Sequence, residues 1–112
     1  MNVAVQQRLQ RAWQALKGGQ ASNAATEARA VAESEPASFD AWRILGIAEH
    51  ACGRTDAGNQ AFLRALELRP GDAATALDLG TALLRVGASG QALPWLRRAV
   101  AGLPADARAA FR

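Results

Sequence analysis

Proline recurs at a constant interval along this 112-residue chain, at Pro36, Pro70 and Pro104, which are each 34 residues apart. Glycine follows the same interval, at Gly19, Gly53 and Gly87. A third column, two positions after each proline, holds residues that cap helices, at Ser38, Asp72 and Asp106. A fixed period of about 20–50 residues is typical of repeat proteins, in which each unit packs on its neighbours. The spacing therefore predicts three copies of one structural unit.

Each of these columns has a physical role in a pair of helices. Proline cannot continue a helix, so it separates one unit from the next. Serine or aspartate just before a helix accepts a hydrogen bond from a free N–H of the first turn. Glycine in the middle of the unit allows the left-handed turn that ends one helix and leads to the next. We expect helices at 3–17, 22–34, 39–52, 56–69, 73–86 and 90–102, and the start of a seventh after Asp106.

The composition agrees with an all-α domain of closely packed helices. Alanine accounts for 28 of the 112 residues, and the aromatic residues are three Trp and three Phe. Alanine loses no side-chain entropy in a helix and lets two helix backbones approach each other. A chain of this length forms one domain of ordinary size. We therefore predict a single domain with no strand.

The net charge and the pattern of apolar residues exclude several classes of binding partner and of cellular location. The net charge is only +3, and the longest basic run is Arg97-Arg98, whereas nucleic-acid binders concentrate Lys and Arg in runs or stripes. No segment approaches the roughly 18 consecutive apolar residues of a membrane span, and the first residues do not form a signal peptide. A single cysteine suits a reducing compartment. We predict no nucleic-acid or membrane partner and a cytoplasmic location.

No arrangement of residues suggests catalysis or cofactor binding. The chain has no phosphate-binding glycine loop, no nucleophile-elbow sequence and no paired metal-ligand motif. It has one histidine, His50, and one cysteine, Cys52, on the same predicted helix. Two such residues cannot complete a protein zinc site, so Cys52 is expected to be a small buried apolar residue. The sequence predicts no catalytic, metal-binding or cofactor-binding residue, and no enzyme.

The 34-residue helix–turn–helix unit resembles the tetratricopeptide repeat, whose pattern is W-x-x-L-G-x-x-Y, then A-x-x-x-F, then a closing P. The central unit carries Trp42, Leu45, Gly46, Phe62, Ala65 and Pro70 at the family's positions. It departs from the pattern at Glu49, where the family has Tyr, and at Gly58, where it has Ala. The third unit matches at Leu79, Gly80, Ala92, Ala99 and Pro104. The first unit matches least, with Arg8 and Arg11 at the Trp and Leu positions.

The resemblance implies a solenoid of helical hairpins with a right-handed superhelical twist and six to seven helices. The repeats would span about residues 5–38, 39–72 and 73–106 of a single domain covering 1–112, with 107–112 starting a further helix. Because the last unit of a solenoid is normally covered by a capping helix, we expect the chain to be the N-terminal part of a longer protein.

In this family the first helix of each repeat lines a concave groove that receives a peptide or a partner helix. The corresponding candidate residues here are Leu9, Gln10, Trp13, Leu16, Lys17, Arg43, Ile44, Ile47, His50, Leu77, Asp78, Thr81, Leu84 and Arg85. Several of them, Ile44 and Leu77 above all, could instead pack between neighbouring helices. The family members that clamp C-terminal carboxylates place Lys, Asn and Arg at fixed groove positions, and Leu9, Trp13, Ile44, Ala74 and Asp78 stand at those positions here. That class of partner is therefore not expected.

These observations favour a protein-interaction module that binds a peptide or helix in its groove. The alternative is an N-terminal accessory domain of a larger bacterial enzyme, of transferase or oxygenase type, that recruits substrate or holds a dimer. We also expect self-association through the last complete helix, by the residues Leu93, Trp95, Leu96 and Val100. Protein or peptide is the expected partner in each case.

Overall fold

The computed structural model describes residues 3–103 and shows six helices there, with no strand in that range. They are α1 (Val3–Lys17), α2 (Ala21–Ser34), α3 (Phe39–Ala51), α4 (Thr55–Leu68), α5 (Ala73–Arg85) and α6 (Ser89–Ala101). All six predicted helices are confirmed, and each predicted end lies within one residue of the observed one. The seventh helix, predicted to begin after Asp106, lies outside the described residues.

A left-handed glycine joins the two helices of every hairpin. Gly19, Gly53 and Gly87 have φ angles of +79°, +80° and +77°. The residue after each glycine donates its N–H to a carbonyl five residues earlier, as in Arg54 to Glu49 O at 2.9 Å. This is the Schellman end of a helix, in which the positive φ of glycine lets the chain reverse while the last carbonyls stay bonded. The role predicted for the glycine column is confirmed.

The third column, that of the capping residues, lies at the start of the second and third hairpins. The Ser38 hydroxyl accepts a hydrogen bond from the N–H of Ala41, and the Asp72 carboxylate accepts one from the N–H of Thr75 at 3.0 Å. Asp72 also accepts a 2.6 Å bond from the Thr75 hydroxyl. Burial alone would raise the pKa of Asp72, but the two bonds from Thr75 together with the charges of Arg43 and Arg69 hold that pKa below its ordinary value. The Asp106 cap lies outside the described residues.

The hairpins stack in chain order into an elongated solenoid. Each helix packs on the next in sequence, from α1 with α2 to α5 with α6, and α1 also packs on α3. The described domain measures 44 × 28 × 24 Å. The first helices α1, α3 and α5 follow one another along one side, which we call the first-helix face. This is the face expected to form the groove.

In the second and third hairpins the two helices cross where a glycine meets a larger residue. A methyl group built on Gly46 would come within 2.5 Å of the Phe62 ring, and one on Gly80 within 2.7 Å of Leu96 Cδ2. In the first hairpin the corresponding residues are Ala12 and Ala28, both fully buried. The absence of a bulky side chain on the first helix lets the second helix lie close against it.

At a second pair of facing positions, one on each helix, the residue types differ from one hairpin to the next. In the first hairpin it is an ion pair, Arg8 with Glu27, at 3.5 Å. In the second hairpin Trp42 packs in the same apolar cluster as Ala61. In the third the sizes are exchanged, so that Trp95 from α6 packs in the cluster of Ala76 on α5. The same two positions are thus filled by an ion pair in the first hairpin, by Trp42 on the first helix in the second, and by Trp95 on the second helix in the third.

A buried carboxylate ties the first two hairpins together. Glu49 stands at the tyrosine position of the repeat pattern and is only 2% exposed. Its oxygens accept hydrogen bonds from Arg29 of α2 at 2.8 Å and from Arg54 of the following turn at 2.8 and 2.9 Å. The bond from Arg54 lowers the pKa of Glu49 below its ordinary value against the opposing effect of burial, and the charge of Arg29 adds to the lowering.

The crossing at Gly46 predicts a test of close packing. Gly46→Ala should destabilise the domain by about 1–2 kcal/mol, because overpacking costs roughly 1–3 kcal/mol and alanine regains up to about 1 kcal/mol of helix propensity. Gly90→Ala is the matched control, since Gly90 lies in α6 with no atom within 4 Å of the added methyl. It should stabilise by a few tenths to about 1 kcal/mol. Urea unfolding measures both, and equal shifts for the two variants would contradict the packing argument.

The buried carboxylate predicts a pH-dependent stability. Because the pKa of Glu49 is lower in the folded state than the ordinary value of 4.5, its contribution is complete above that ordinary value and is lost as the pH falls through the folded value. Glu49→Gln should therefore destabilise by about 2 kcal/mol at neutral pH, the size of charged hydrogen bonds. The difference from the unmodified chain should shrink as the pH falls below about 4.

The control for this prediction is Glu67→Gln. Glu67 pairs with Arg64 at 3.5 Å, and both side chains are more than 60% exposed. Loss of such an exposed pair changes stability by no more than about 1 kcal/mol. Unfolding by urea at a series of pH values separates the two variants. A penalty for Glu49→Gln that stays constant down to the acid limit would show that the charge of Glu49 is not what stabilises the fold.

Candidate functional site

A large cleft lies on the first-helix face, between α1 and α3. Its volume is about 1490 Å³. The residues around it are Gln6, Gln7, Leu9, Gln10, Arg11, Trp13, Gln14, Ala15, Gly18, Gln20, Asp40, Arg43 and Ile44. Five of these thirteen are glutamines, three are charged, one is a tryptophan, and the other four are Leu9, Ala15, Gly18 and Ile44. The cleft therefore combines polar and apolar surface.

Helix α1 contributes both floor and rim to this cleft. Leu9 is buried in the core, at 7% exposure, and Trp13 and Leu16 are half-buried against that core. Lys17 is exposed, with its amine 5.6 Å from the centre of the Trp13 ring. Leu9, Gln10 and Trp13 line the cleft. The structure thus places the predicted residues of α1 together at one end of the first-helix face.

Helix α3 brings the central charge. Arg43 is half-buried and lines the cleft, and its Nη2 lies 3.4 Å from Oδ2 of Asp78 on α5. Its Nε is buried and makes no hydrogen bond within residues 3–103. Because of this unbonded Nε, the guanidinium keeps hydrogen-bonding capacity beyond its one long contact. On the other side of the contact, burial raises the pKa of Asp78 despite the lowering effect of Arg43.

The other candidates of α3 face the interior. Ile44 is buried at 8% exposure, although it also touches the cleft. Ile47 packs against the apolar cluster that contains Phe62 and Leu79. The interior packing of Ile44 was the alternative left open by the sequence.

His50 lies between α3 and α4. Its ring stacks on Phe62 with the centroids 5.3 Å apart, and Nε2 lies 2.9 Å from Oδ1 of Asn59. The imidazole occupies the space next to Gly58, where any Cβ would collide with it. The departure from alanine at Gly58 therefore accommodates His50, which the structure does not place among the residues around the cleft.

Helix α5 ends the first-helix face with apolar side chains. Leu77 and Leu84, seven residues apart, are 50% and 48% exposed, and Thr81 is half-buried between them. Leu77 is thus on the surface and does not pack between helices. Arg85 is exposed at the end of the helix. The face consequently changes from amides on α1, through the Arg43–Asp78 pair, to leucines on α5.

Most of the glutamines were missed by reasoning from the sequence. Of the five, only Gln10 belongs to the set implied by the family resemblance. The signal was nevertheless present, because Gln6, Gln10 and Gln14 follow a spacing of four residues. Residues four apart lie on the same face of a helix.

A smaller cleft of about 350 Å³ lies between α2 and α4. Trp42 forms part of it, donates its indole N–H to the carbonyl of Pro36 at 2.8 Å, and lies 5.5 Å from the Arg64 guanidinium. The carboxylate of Glu49 at this cleft is already bonded to two arginines. Its principal polar groups therefore have partners within the chain.

The described residues contain no group of three or more His, Cys, Asp and Glu side chains placed to hold a metal ion. Among residues 3–103, none of the helices combines the length and the apolar character that crossing a membrane requires. Cys52 is half-buried rather than fully buried, because it lies at the end of α3 next to the Gly53 turn.

Solved structures of similar fold were found for this chain. A MamA structure, MSR-1, superposes with a TM-score of 0.81 over 88% of this chain and 56% of its own, at 23% identity. The chaperone SycD of Yersinia enterocolitica, in complex with a peptide of the translocator YopD, superposes with a TM-score of 0.88 over 94% of this chain and 80% of its own, at 15% identity. The chain thus spans little more than half of that MamA chain. At these identities the likeness concerns the fold alone.

A search of curated proteins found no match to the chain. Two overlapping segments, residues 9–73 and 53–107, match the sequence profile of the tetratricopeptide repeat. Together they contain all three predicted repeats except residues 5–8 of the first, and the six observed helices form the hairpins that this repeat requires. The chain belongs to the tetratricopeptide repeat family.

Proposed function

We propose that this chain is a protein-interaction module that binds a peptide-like segment of a partner protein on the first-helix face. The observation that carries the proposal is the cleft of about 1490 Å³ between α1 and α3. Clefts that bind ligands combine apolar or aromatic surface with a few convergent polar groups. Here Trp13 supplies the aromatic surface, and Arg43 and the glutamines supply the polar groups.

Electrostatics favour an acidic or carbonyl-rich partner. Arg43 lies at the centre of the face, and Lys17 and Arg85 are exposed at the ends of α1 and α5. The contact of Arg43 with Asp78 is long, at 3.4 Å, and charge-assisted hydrogen bonds of guanidinium groups are shorter, about 2.7–2.9 Å. A partner carboxylate at this point would therefore make a better bond to Arg43 than Asp78 makes.

The similar fold of SycD, which was solved with a bound peptide, supports the same type of function. The proposed role requires binding surfaces and no catalytic group, so we infer a binding protein rather than an enzyme. A cytoplasmic location fits this role, because a tetratricopeptide domain with one half-buried cysteine needs no disulfide.

The proposal predicts that charge on the first-helix face controls binding. Short linear peptides of random sequence are selected on the unmodified chain, and the best binder is then measured against variants. Arg43→Gln combined with Arg85→Gln should weaken that binder at least about tenfold, as expected for the loss of charged hydrogen bonds. The melting temperature should change little, because both charges are at least partly exposed.

Arg64→Gln is the matched control, since Arg64 is a 62% exposed arginine on α4, away from the cleft between α1 and α3. It should leave binding unchanged. If the selection yields no binder, or if the control weakens binding as much as the double variant, the first-helix face is not the binding surface.

We further propose that copies of the chain associate through α6. In the second hairpin, Phe62 and Leu66 are only 2% and 3% exposed, because α5 and α6 pack on them. Their counterparts 34 residues later, Leu96 and Val100, are half-buried. Leu93 on the same helix is 47% exposed. Partly open apolar surface of this kind favours association.

The four residues predicted for this contact do not contribute equally. Trp95 packs back into the cluster of Phe62, Leu66 and Ala76, so it belongs mainly to the core. Leu96 also contacts Gly80 within its own hairpin. Leu93 and Val100 are therefore the residues whose substitution tests the contact with the least disturbance of the fold.

Light scattering at rising protein concentration tests this second proposal. The unmodified chain should increase in apparent mass, and Leu93→Glu combined with Val100→Glu should keep it monomeric, because buried charges oppose an apolar contact. Leu63→Glu is the control, since Leu63 on α4 is 40% exposed, and it should leave association intact. A chain that stays monomeric throughout, or a double variant that associates normally, would contradict a contact through α6.

A further inference from the structure

Three glutamines of α1 form a row on the first-helix face. Gln6, Gln10 and Gln14, which we call the glutamine row, are all exposed and all border the large cleft. Within residues 3–103 their side-chain amides take part in no hydrogen bond of the protein, whereas Gln20 accepts one from Asn23. The row therefore offers unused donors and acceptors next to Trp13.

A side-chain amide has the same hydrogen-bonding character as a peptide group. Each glutamine carries a carbonyl acceptor and an NH₂ donor, and each peptide unit carries one donor and one acceptor. An ion would use only one half of each amide, and an apolar ligand would use neither. A polypeptide main chain with free N–H and C=O groups uses both halves of all three amides.

The spacing of the row fits an extended chain. Residues four apart rise about 6 Å along a helix, at about 1.5 Å per residue. Every second residue of an extended chain advances about 6.4–6.8 Å. The mismatch over the whole row is below about 2 Å, which the flexible glutamine side chains can take up. The three amides are thus in step with alternate peptide groups of an extended segment lying along α1.

A helical partner would not use the row in this way. The main-chain N–H and C=O groups inside a helix are bonded to each other, so a helix would present only side chains to the glutamines. This difference favours an extended peptide over a helix as the occupant of the face.

We propose that the glutamine row binds the main chain of an extended segment of a partner protein, pairing with alternate peptide groups. Trp13 packs against a side chain of that segment, and Arg43 across the cleft bonds a carbonyl or carboxylate near one end. Recognition is therefore largely independent of the side chains that point away from α1. This inference rests on the proposed function of the same face and specifies the form of its ligand.

The first test compares two peptide libraries on the unmodified chain. One contains short linear peptides of random sequence, and the other contains peptides of the same length held helical by a covalent staple. Binders should come from the linear library. The best linear binder is then resynthesised with one N-methyl group at a time, which removes a donor and blocks close approach. Affinity should fall about tenfold at alternate positions and little at the positions between, the size of one or two lost hydrogen bonds.

The second test removes an amide from the protein. Gln10→Met keeps the length of the side chain without its donors and acceptor, and should weaken the best linear binder about tenfold. Gln91→Met is the matched control, because Gln91 is an exposed glutamine on α6, and it should have no effect. The alternate pattern of N-methyl losses should also flatten in Gln10→Met, which a merely structural role of Gln10 would not produce.

The outcomes separate this inference from the proposed function. Binding by stapled helices, or by linear peptides that tolerate N-methylation everywhere, would overturn the role of the glutamine row while the interaction module stands. Failure of both libraries to bind would overturn the proposed function and this inference with it. Loss of binding in Gln91→Met as large as in Gln10→Met would also count against the row.

Discussion

The crossing of the two helices in each hairpin is the contact on which the rest of the structure depends. Where Gly46 meets Phe62 and Gly80 meets Leu96, there is no room for even a methyl group. This close approach sets the angle between the helices of a hairpin, and the angle determines how the next hairpin stacks on it. The side-by-side arrangement of α1, α3 and α5, and with it the cleft, follows from residues that do not line the cleft.

The charged groups are divided between structure and binding according to their partners. Glu49 is buried and accepts three hydrogen bonds from two arginines of the chain. Arg43 has one long contact and a buried Nε without a bond in the described part of the chain. Buried polar groups that lack a partner carry a free-energy cost. The first-helix face thus retains bonding capacity at Arg43, whereas the Glu49 carboxylate already has partners within the chain.

Local chemistry made the helices predictable, and contacts between helices limited the prediction of the site. Glycine at φ near +80° and the caps Ser38 and Asp72 act within a few residues, so the 34-residue period located every helix end to within one residue. The direction of His50 depends on the missing Cβ of Gly58, which only the packed pair reveals. The glutamines follow a helical spacing but are neither apolar nor charged, so the apolar pattern did not draw attention to them.

The exchanged sizes of Trp42 with Ala61 and of Ala76 with Trp95 have a consequence for how the chain finds its fold. An array of similar hairpins can pair a helix with the wrong copy of its partner, displaced by one repeat. If α3 paired with α6, two tryptophans would compete for the same space, and if α5 paired with α4, two alanines would leave a void. Overfilling and voids each cost free energy in a packed interior. The size differences between the repeats thus favour the pairing of α3 with α4 and of α5 with α6 over pairings displaced by one repeat.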